Sequence, residues 1–286
     1  MNTTPVQHVE FFHKDHFEDH YHRKWVYQGE LSRFIEFFWE TDFEPLWQQY
    51  PDGFSDVLFA NMGYTYLINL GTPFVMQLGE DAMEMKSDGF LPRHKSLACH
   101  HAVGNKIFGI KFKISPLILE KKVNFSEYKE YIFPLAYLID RGMVQRVKEA
   151  DSFAGRVEII SDYYRKIVQK YEGSLQYVDI VAEVLKNCYD NNAFDTPIDA
   201  WAQQYGISTR TLQRYFEGAT SISSKQALQI MRIRKAATHL FYQPYTFDYT
   251  LYGYYDNSHF YKHLKQFLGP LYFKQYQGQV MLLPKH

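Results

Sequence analysis

The chain has 286 residues, of which 46% are hydrophobic and 22% are charged. This length allows two domains with separate cores, and the composition excludes an intrinsically disordered protein. No apolar run approaches the roughly 18 residues that a transmembrane helix needs, and the charged N-terminus lacks a signal-peptide pattern. Because the two cysteines, Cys99 and Cys188, are far apart, we expect a protein of the reducing cytoplasm with no membrane partner.

The net charge of −1 hides a difference between the two parts of the chain. Residues 1–173 contain 20 Lys and Arg against 24 Asp and Glu, whereas residues 174–286 contain 11 against 8. The C-terminal part is therefore mildly basic. This surplus is compatible with binding to a phosphate backbone, but it is too small to establish such binding.

Residues 24–115 read mainly as strands. Short runs of β-branched and aromatic residues, such as Tyr64–Leu70 and Phe74–Leu78, alternate with Gly, Pro, Asn and Asp. One amphipathic stretch, Leu31–Trp39, interrupts them and predicts a helix that begins near Ser32. Short strands at this spacing predict a β-sandwich or a β-barrel.

Beyond Pro116 the apolar spacing becomes helical. Between Val157 and Tyr171 apolar residues recur at steps of three and four, which predicts a single apolar stripe along a helix. Such a stripe either packs in the core or forms a dimer interface, and the spacing does not distinguish the two. A Gly-Ser break at 171–176 divides the chain into a β-rich domain with a helical connector, 1–172, and a helical domain, 173–286.

The strongest motif is TPIDAWAQQYGISTRTLQRYF at 196–216. Thr196 and Pro197 predict the start of a helix, Gly206 predicts a tight turn, and Ser208 predicts the cap of a second helix. The apolar residues of that second helix face inward. Three polar side chains then face outward: Arg210, Gln213 and Arg214. Since Arg can pair with guanine and Gln with adenine, the motif predicts a DNA-reading helix-turn-helix.

This stretch resembles the first helix-turn-helix of the AraC/XylS family of transcription regulators. SISSKQALQIMRIRKAATHL at 221–240 resembles the family's linker helix, and GYYDNSHFYKHLKQFLG at 253–269 resembles its second recognition segment. The resemblance implies that Arg210, Gln213 and Arg214 are the base and phosphate contacts of the first unit. In the second unit the corresponding residues are Ser258, His259, Tyr261 and Lys262.

The family inserts its two recognition helices into successive major-groove segments on one face of the DNA. The resemblance therefore implies double-stranded promoter DNA as the partner and a homodimer as the assembly. A small-molecule effector and RNA polymerase are further candidate partners. Arg232 would be a structural residue of the linker helix, whereas Arg234 and Lys235 would be solvated or close to phosphates.

The second unit departs from the family pattern. Asp248 and Tyr249 stand where the family has a compact apolar pair, in the segment TFDYTLYGYY that aligns with a helix. Burying an unpaired Asp, or a Tyr ring in an Ala-sized gap, would be costly. We therefore expect the second recognition helix to be displaced and to discriminate bases less than the first. A variant of this interpretation is a second unit that has lost DNA binding and acts through protein contacts.

The segments LSRFIEFFWE, YPDGFSDVLFANMG, YLINLGTPF and IFGIKFKISPL resemble a sensor domain found ahead of some AraC-type DNA-binding domains. This resemblance implies a cupin-like β-fold that perceives a signal, without identifying the ligand. The expected fold class is α+β, with an N-terminal β-rich cupin-like domain and a C-terminal all-helical double helix-turn-helix domain.

The alternative class is a cupin-type metalloenzyme with an accessory helical domain. Five histidines lie near the start of the chain: His8, His13, His16, His20 and His22. No Glu follows them at the cupin spacing, and the adjacent His100 and His101 would face opposite sides of a strand. Motifs for a serine nucleophile, a phosphate loop or a dinucleotide are also missing. We therefore expect a regulator that is not an enzyme and has neither a cofactor nor a metal site.

Overall fold

The computed structural model describes residues 6–13, 20–78, 81–120, 131–171 and 173–278. The strands are β1 (Val6–Val9), β2 (Tyr21–Trp25), β3 (Ile35–Thr41), β4 (Phe54–Leu58), β5 (Tyr64–Asn69), β6 (Phe74–Leu78), β7 (Asp81–Met85), β8 (Gly89–Pro92), β9 (Leu97–His101), β10 (Ile107–Phe112) and β11 (Phe133–Pro134). The helices are α1 (Glu44–Trp47), α2 (Arg141–Glu149), α3 (Phe153–Gln169), α4 (Gln176–Asn191), α5 (Ile198–Gln204), α6 (Thr209–Thr220), α7 (Ser224–Tyr242), α8 (Asn257–Leu268) and α9 (Pro270–Gln275).

The strands form two sheets, as the sequence predicts for a β-sandwich. One sheet has the order β1-β4-β9-β6-β7 and the other has the order β11-β8-β5-β10-β3-β2. Neighbouring strands pair antiparallel except for β1 and β4, which pair parallel. The fold class is therefore α+β, with a β-rich N-terminal part and a helical C-terminal part, as predicted.

The helix predicted at Leu31–Trp39 is wrong. A single 3-10 turn covers Glu30–Arg33, and the chain then enters β3, which pairs with β2 on one side and β10 on the other. Helix α3 covers the outer face of this sheet, so apolar side chains are buried on both faces of β3. A strand with two buried faces loses the alternating pattern, and its apolar spacing then resembles that of a helix.

The apolar stripe between Val157 and Tyr171 lies in the core. Val157, Ile160 and Tyr164 on α3 are all buried, and the Tyr164 ring meets the Phe112 ring of β10 at 5.3 Å between centroids. The same helix is attached to β3 by an ion pair in which Arg156 Nη1 lies 3.2 Å from Glu40 Oε2. The alternative of a dimer interface is therefore wrong for this stripe.

The β-rich part and the helical part share one continuous apolar core. Its members include Phe59 and Phe112 from the sandwich and Val181, Phe216 and Phe260 from the helices. Among the described residues, no helix combines the length and the apolar character needed to cross a bilayer.

Candidate nucleic-acid interface

The first helix-turn-helix consists of α5, a tight turn and α6. Gly206 adopts φ +64 in the turn, and the Ile207 amide donates to Ala202 O at 3.0 Å. Ser208 Oγ accepts from the Thr211 amide at 3.1 Å and so caps α6, as predicted. Helix α5 begins one residue later than expected, because Pro197 rather than Thr196 occupies the N-cap position.

Helix α6 has one buried face and one exposed face. Leu212 and Phe216 are completely buried against the neighbouring helices. The three side chains predicted to contact DNA are exposed on the opposite face, at steps of three and four residues: Arg210, Gln213 and Arg214. Across the described ranges, no acidic side chain forms an ion pair with either arginine. The structure thus places both guanidinium groups and the amide where a ligand outside the protein can reach them.

Helix α7, the linker helix, holds the second unit through polar contacts. The Arg232 guanidinium donates to Gly253 O and lies over the Tyr254 ring, 3.8 Å from its centroid. His239 completes this attachment, with Nδ1 at 2.8 Å from Tyr252 Oη and Nε2 at 2.9 Å from Thr246 Oγ1. The structural role expected for Arg232 is therefore confirmed.

The first helix expected in the second unit is replaced by a single 3-10 turn at Tyr249–Tyr252. The Asp248 carboxylate accepts from the Thr250 amide at 2.8 Å, so it caps this turn instead of entering a helix crossing. Phe247 and Tyr252 are the buried residues here. Shortening the helix thus avoids both the buried Asp and the crowded Tyr249 ring that the sequence alignment implies.

The second recognition helix is α8, and its predicted contact residues are only partly accessible. Asp256 Oδ1 caps the helix by accepting from the His259 amide at 2.7 Å. Ser258 and Lys262 are exposed, whereas His259 and Tyr261 are half-buried. The His259 ring also lies 5.3 Å from the Tyr254 ring. Two of the four contact residues predicted on α8 are therefore exposed, whereas all three predicted on α6 are exposed.

Two partly buried cations of the linker helix bind acceptors within the protein, a contact that the sequence expectation did not include. Arg234 forms an ion pair with Glu10, and its Nη1 donates to Ala60 O at 3.0 Å and to Phe59 O at 3.3 Å. Lys235 Nζ donates to Tyr189 O and lies 4.5 Å from the centroid of the Tyr189 ring. Both side chains find acceptors within the protein, which sequence spacing alone does not reveal.

The N-terminal arm, residues 6–13, packs against the helical part through its aromatic side chains. The Phe11 ring stacks on Phe241 of α7 at 5.9 Å between centroids, and the Phe12 ring stacks on Tyr276 at 4.1 Å. Phe59, which follows β4, extends the cluster to Phe267 of α8 at 5.5 Å. The adjacent phenylalanines in a polar segment were the only sequence signal of this contact.

Two of the N-terminal histidines, His8 and His13, are in ring contact, with 5.8 Å between their centroids. His22 is exposed, with Nε2 at 4.0 Å from Asp42 Oδ2, and the His8 ring packs edge-on against Tyr50 and Phe54. His16 lies outside the described residues. In the part of the chain that the structure describes, these histidines form no group of three converging ligand atoms.

A small cavity of about 30 Å³ lies between the two sheets of the sandwich. Its wall is mostly apolar, with a few polar side chains from five strands or their ends: Tyr21, Asp56, Thr65, Arg93, Cys99 and His101. Burial lowers the pKa of the Arg93 guanidinium, and nearby Glu10 and Cys99 oppose this shift. A cavity of this size has room for a water molecule or a metal ion, whereas pockets for drug-sized ligands occupy roughly 300–1,000 Å³.

No family model matches the sequence, and no curated protein matches it. Among solved structures, the chain is similar to ToxT from Vibrio cholerae, with 10% identity over 93% of this chain and 100% of that one, at a TM-score of 0.44. It is also similar to the AraC-like transcriptional activator CuxR, with 8% identity over 77% and 87%, at a TM-score of 0.27. A cupin superfamily protein from Desulfitobacterium hafniense matches at 16% identity over 33% and 79%, at a TM-score of 0.23. An AraC-like regulator and a cupin are thus both among the structures that this chain resembles.

Proposed function

We propose that this protein is a transcription regulator that binds promoter DNA through α6 and α8, under the control of a signal perceived in the β-rich domain. One observation carries the proposal. Arg210, Gln213 and Arg214 share the exposed face of a capped helix whose other face is buried, and this is the arrangement that major-groove recognition requires. The protein would act in the cytoplasm and would not be an enzyme.

The two units would contribute unequally to recognition. Helix α6 offers two guanidinium groups and an amide, each able to form paired hydrogen bonds with a base edge. Helix α8 offers the exposed Ser258 and Lys262, with His259 and Tyr261 partly covered. An ammonium group acts on phosphate mainly as a point charge. We therefore assign sequence discrimination mainly to α6 and phosphate anchoring to Lys262.

The contact between the N-terminal arm and the linker helix is the proposed route of control. A small-molecule effector that enters between the two sheets would act through β4, since this strand borders the cavity and leads into Phe59 and Ala60, the acceptors of Arg234. An effector shifts a conformational equilibrium only by the difference in its affinity for the two states. The arm contact supplies a structural difference of this kind.

A homodimer is part of the same proposal, and the edge strand β2 is its proposed interface. Trp25 is 41% exposed and Tyr27 is 78% exposed, and their rings stack at 6.0 Å between centroids. The Arg23 guanidinium lies 5.0 Å from the Phe37 ring beside them. An exposed strand edge with aromatic side chains favours pairing with a second copy. Promoter binding would bring the dimer close to RNA polymerase, the further proposed partner.

Selection of DNA from a random library by the full-length protein tests the function. We expect an enriched sequence with two parts centred about 34 Å apart, one helical turn, with more information in one part. Recovery of sequences bound no more tightly than random DNA would contradict the proposal.

Light scattering at tens of micromolar protein tests the dimer. We expect the wild type to be a dimer and a variant with Trp25 replaced to be a monomer. A wild type that stays monomeric both with and without DNA would contradict the dimer.

A further inference from the structure

Three side chains with metal-binding atoms converge inside the sandwich. Asp56 on β4 pairs directly with Cys99 on β9, and His101 lies two residues further along β9, on the same face. The carboxylate oxygen, the thiol sulfur and the imidazole nitrogen all lie within 4.8 Å of one another. All three residues are at most 6% exposed. They line the cavity between the sheets.

The imidazole of His101 is oriented by a neighbouring amide. His101 Nδ1 lies 2.7 Å from Asn105 Oδ1, and Asn105 Nδ2 donates to Thr72 O at 3.0 Å. The second bond identifies the amide oxygen as the atom that faces the ring, so Nδ1 carries the proton and donates. In the neutral ring, Nε2 then presents its lone pair toward Asp56. A ring nitrogen held this way by an amide is the usual arrangement of a metal-ligating histidine.

The separation between His101 and Asp56 fits a bridging metal better than a shared proton. Nε2 lies 3.5 Å from Asp56 Oδ2 and forms no hydrogen bond. A charge-assisted hydrogen bond between imidazolium and carboxylate would be shorter, roughly 2.7–2.9 Å. Zinc bonds of 2.0–2.2 Å in tetrahedral geometry place neighbouring N and O ligands about 3.4 Å apart. The observed distance corresponds to that tetrahedral edge.

We propose that Asp56, Cys99 and His101 bind one divalent transition-metal ion of the zinc class, with a fourth coordination position open toward the cavity. Binding transfers the Cys99 thiol proton to solvent and forms the metal–sulfur bond. The carboxylate and the thiolate together neutralise the two positive charges of the ion, and the Arg93 guanidinium remains as a cation in the cavity wall. This inference does not depend on DNA binding by the helical part.

Titration of the metal-free full-length protein with cobalt(II) chloride tests the site. We expect one equivalent to bind with a near-ultraviolet thiolate-to-cobalt charge-transfer band, which zinc chloride then abolishes. The band should disappear in Cys99→Ser and binding should weaken strongly in His101→Gln. Asn105→Ala should weaken binding roughly 10–100-fold, because it removes the partner that orients the ligand. Cys188→Ser, which removes the other buried thiol, should leave the titration unchanged.

Circular dichroism shows whether each variant folds. Where a variant fails to fold, the cobalt titration of the wild-type protein still tests the metal site. A wild-type titration that gives no thiolate–cobalt band with cobalt in excess would overturn the proposal. A band that persists in Cys99→Ser, or that disappears in a folded Cys188→Ser, would assign the thiolate ligand to another residue and would overturn it equally.

Discussion

Arg234 of the linker helix and Glu10 of the N-terminal arm form an ion pair that joins two parts of the chain 224 residues apart. Both side chains are largely buried, at 22% and 16% exposed. Glu10 Oε2 also accepts from the Phe59 amide at 2.8 Å, so this carboxylate ties the arm to the end of β4 as well. The pair therefore connects three elements: the arm, the sandwich and the helix between the two proposed DNA-binding units.

Replacing Arg234 should destabilise this connection. In Arg234→Ala the Glu10 carboxylate keeps one backbone donor but loses its cation, so we expect the free energy of unfolding to fall by about 1.5–3 kcal/mol. Urea denaturation measures this change. Lys225→Ala, which removes an exposed cation from the same helix, is the matched control and should have little effect. Equal losses in the two variants would show that the ion pair contributes nothing specific.

Arg214 should contribute to base discrimination. We expect Arg214→Ala to weaken binding to the selected operator by roughly 1–3 kcal/mol and to relax preference at particular bases, because a paired contact to a base edge is lost. Since the side chain is exposed, the thermal midpoint should change little. Arg141→Ala, an exposed arginine at the start of α2, is the control. Unchanged operator affinity in Arg214→Ala would remove this residue from the interface.

Lys262 should act on phosphate rather than on bases. For Lys262→Ala we expect a similar loss of affinity for operator and unrelated DNA, with a slope of log affinity against log salt that is shallower by about 1. Fluorescence anisotropy at several salt concentrations measures both quantities. If Lys262→Ala instead alters base preference as strongly as Arg214→Ala does, the two units contribute equally and our ranking is wrong.

Lys111 on β10 should make stability depend on pH. Burial lowers its pKa to about 7, although Glu36, 3.7 Å from its Nζ, opposes this shift. Between pH 7 and about 10 the unfolded chain therefore binds more protons than the folded chain, and stability rises with pH in that window. Relative to Lys111→Met, the wild type should become more stable from pH 7 to 10 in urea denaturation.

The exposed neighbour Lys113 provides the control for this experiment. Lys113→Met removes an ammonium group from the same strand end without removing a buried one. Its stability should therefore change with pH in parallel with that of the wild type. If Lys111→Met also runs parallel to the wild type, Lys111 keeps an ordinary pKa in the folded protein and the prediction is wrong.

The sequence predicts the helical part well because its signals are local. Ser208 precedes its helix with a capping side chain, Gly206 marks a left-handed turn, and the polar face of α6 follows from spacing alone. Such features need only the residues within one or two turns. The failure at β3 has the opposite origin, since helix α3 covers a strand that is more than a hundred residues earlier in the chain.

The candidate metal site was missed for the same reason. Cys99 and His101 have the spacing of two residues on one face of a strand, and this was the available signal. Asp56 joins them only through the pairing of β4 with β9, which the sequence does not specify. The N-terminal histidines are the more conspicuous candidate ligands in the sequence, but within the described residues they form no group of three converging ligand atoms.

Asp56 lies on strand β4, and the carbonyl of Phe59 that accepts from Arg234 lies three residues further along the chain, just beyond the end of the strand. At roughly 3.3 Å per residue, the two points are about 10 Å apart along extended backbone. An extended segment this short cannot lengthen appreciably, because covalent geometry fixes the distance between successive Cα atoms. A backbone displacement at Asp56 would therefore reach the Phe59 carbonyl along the main chain, and the Arg234 side chain would pass it to the linker helix.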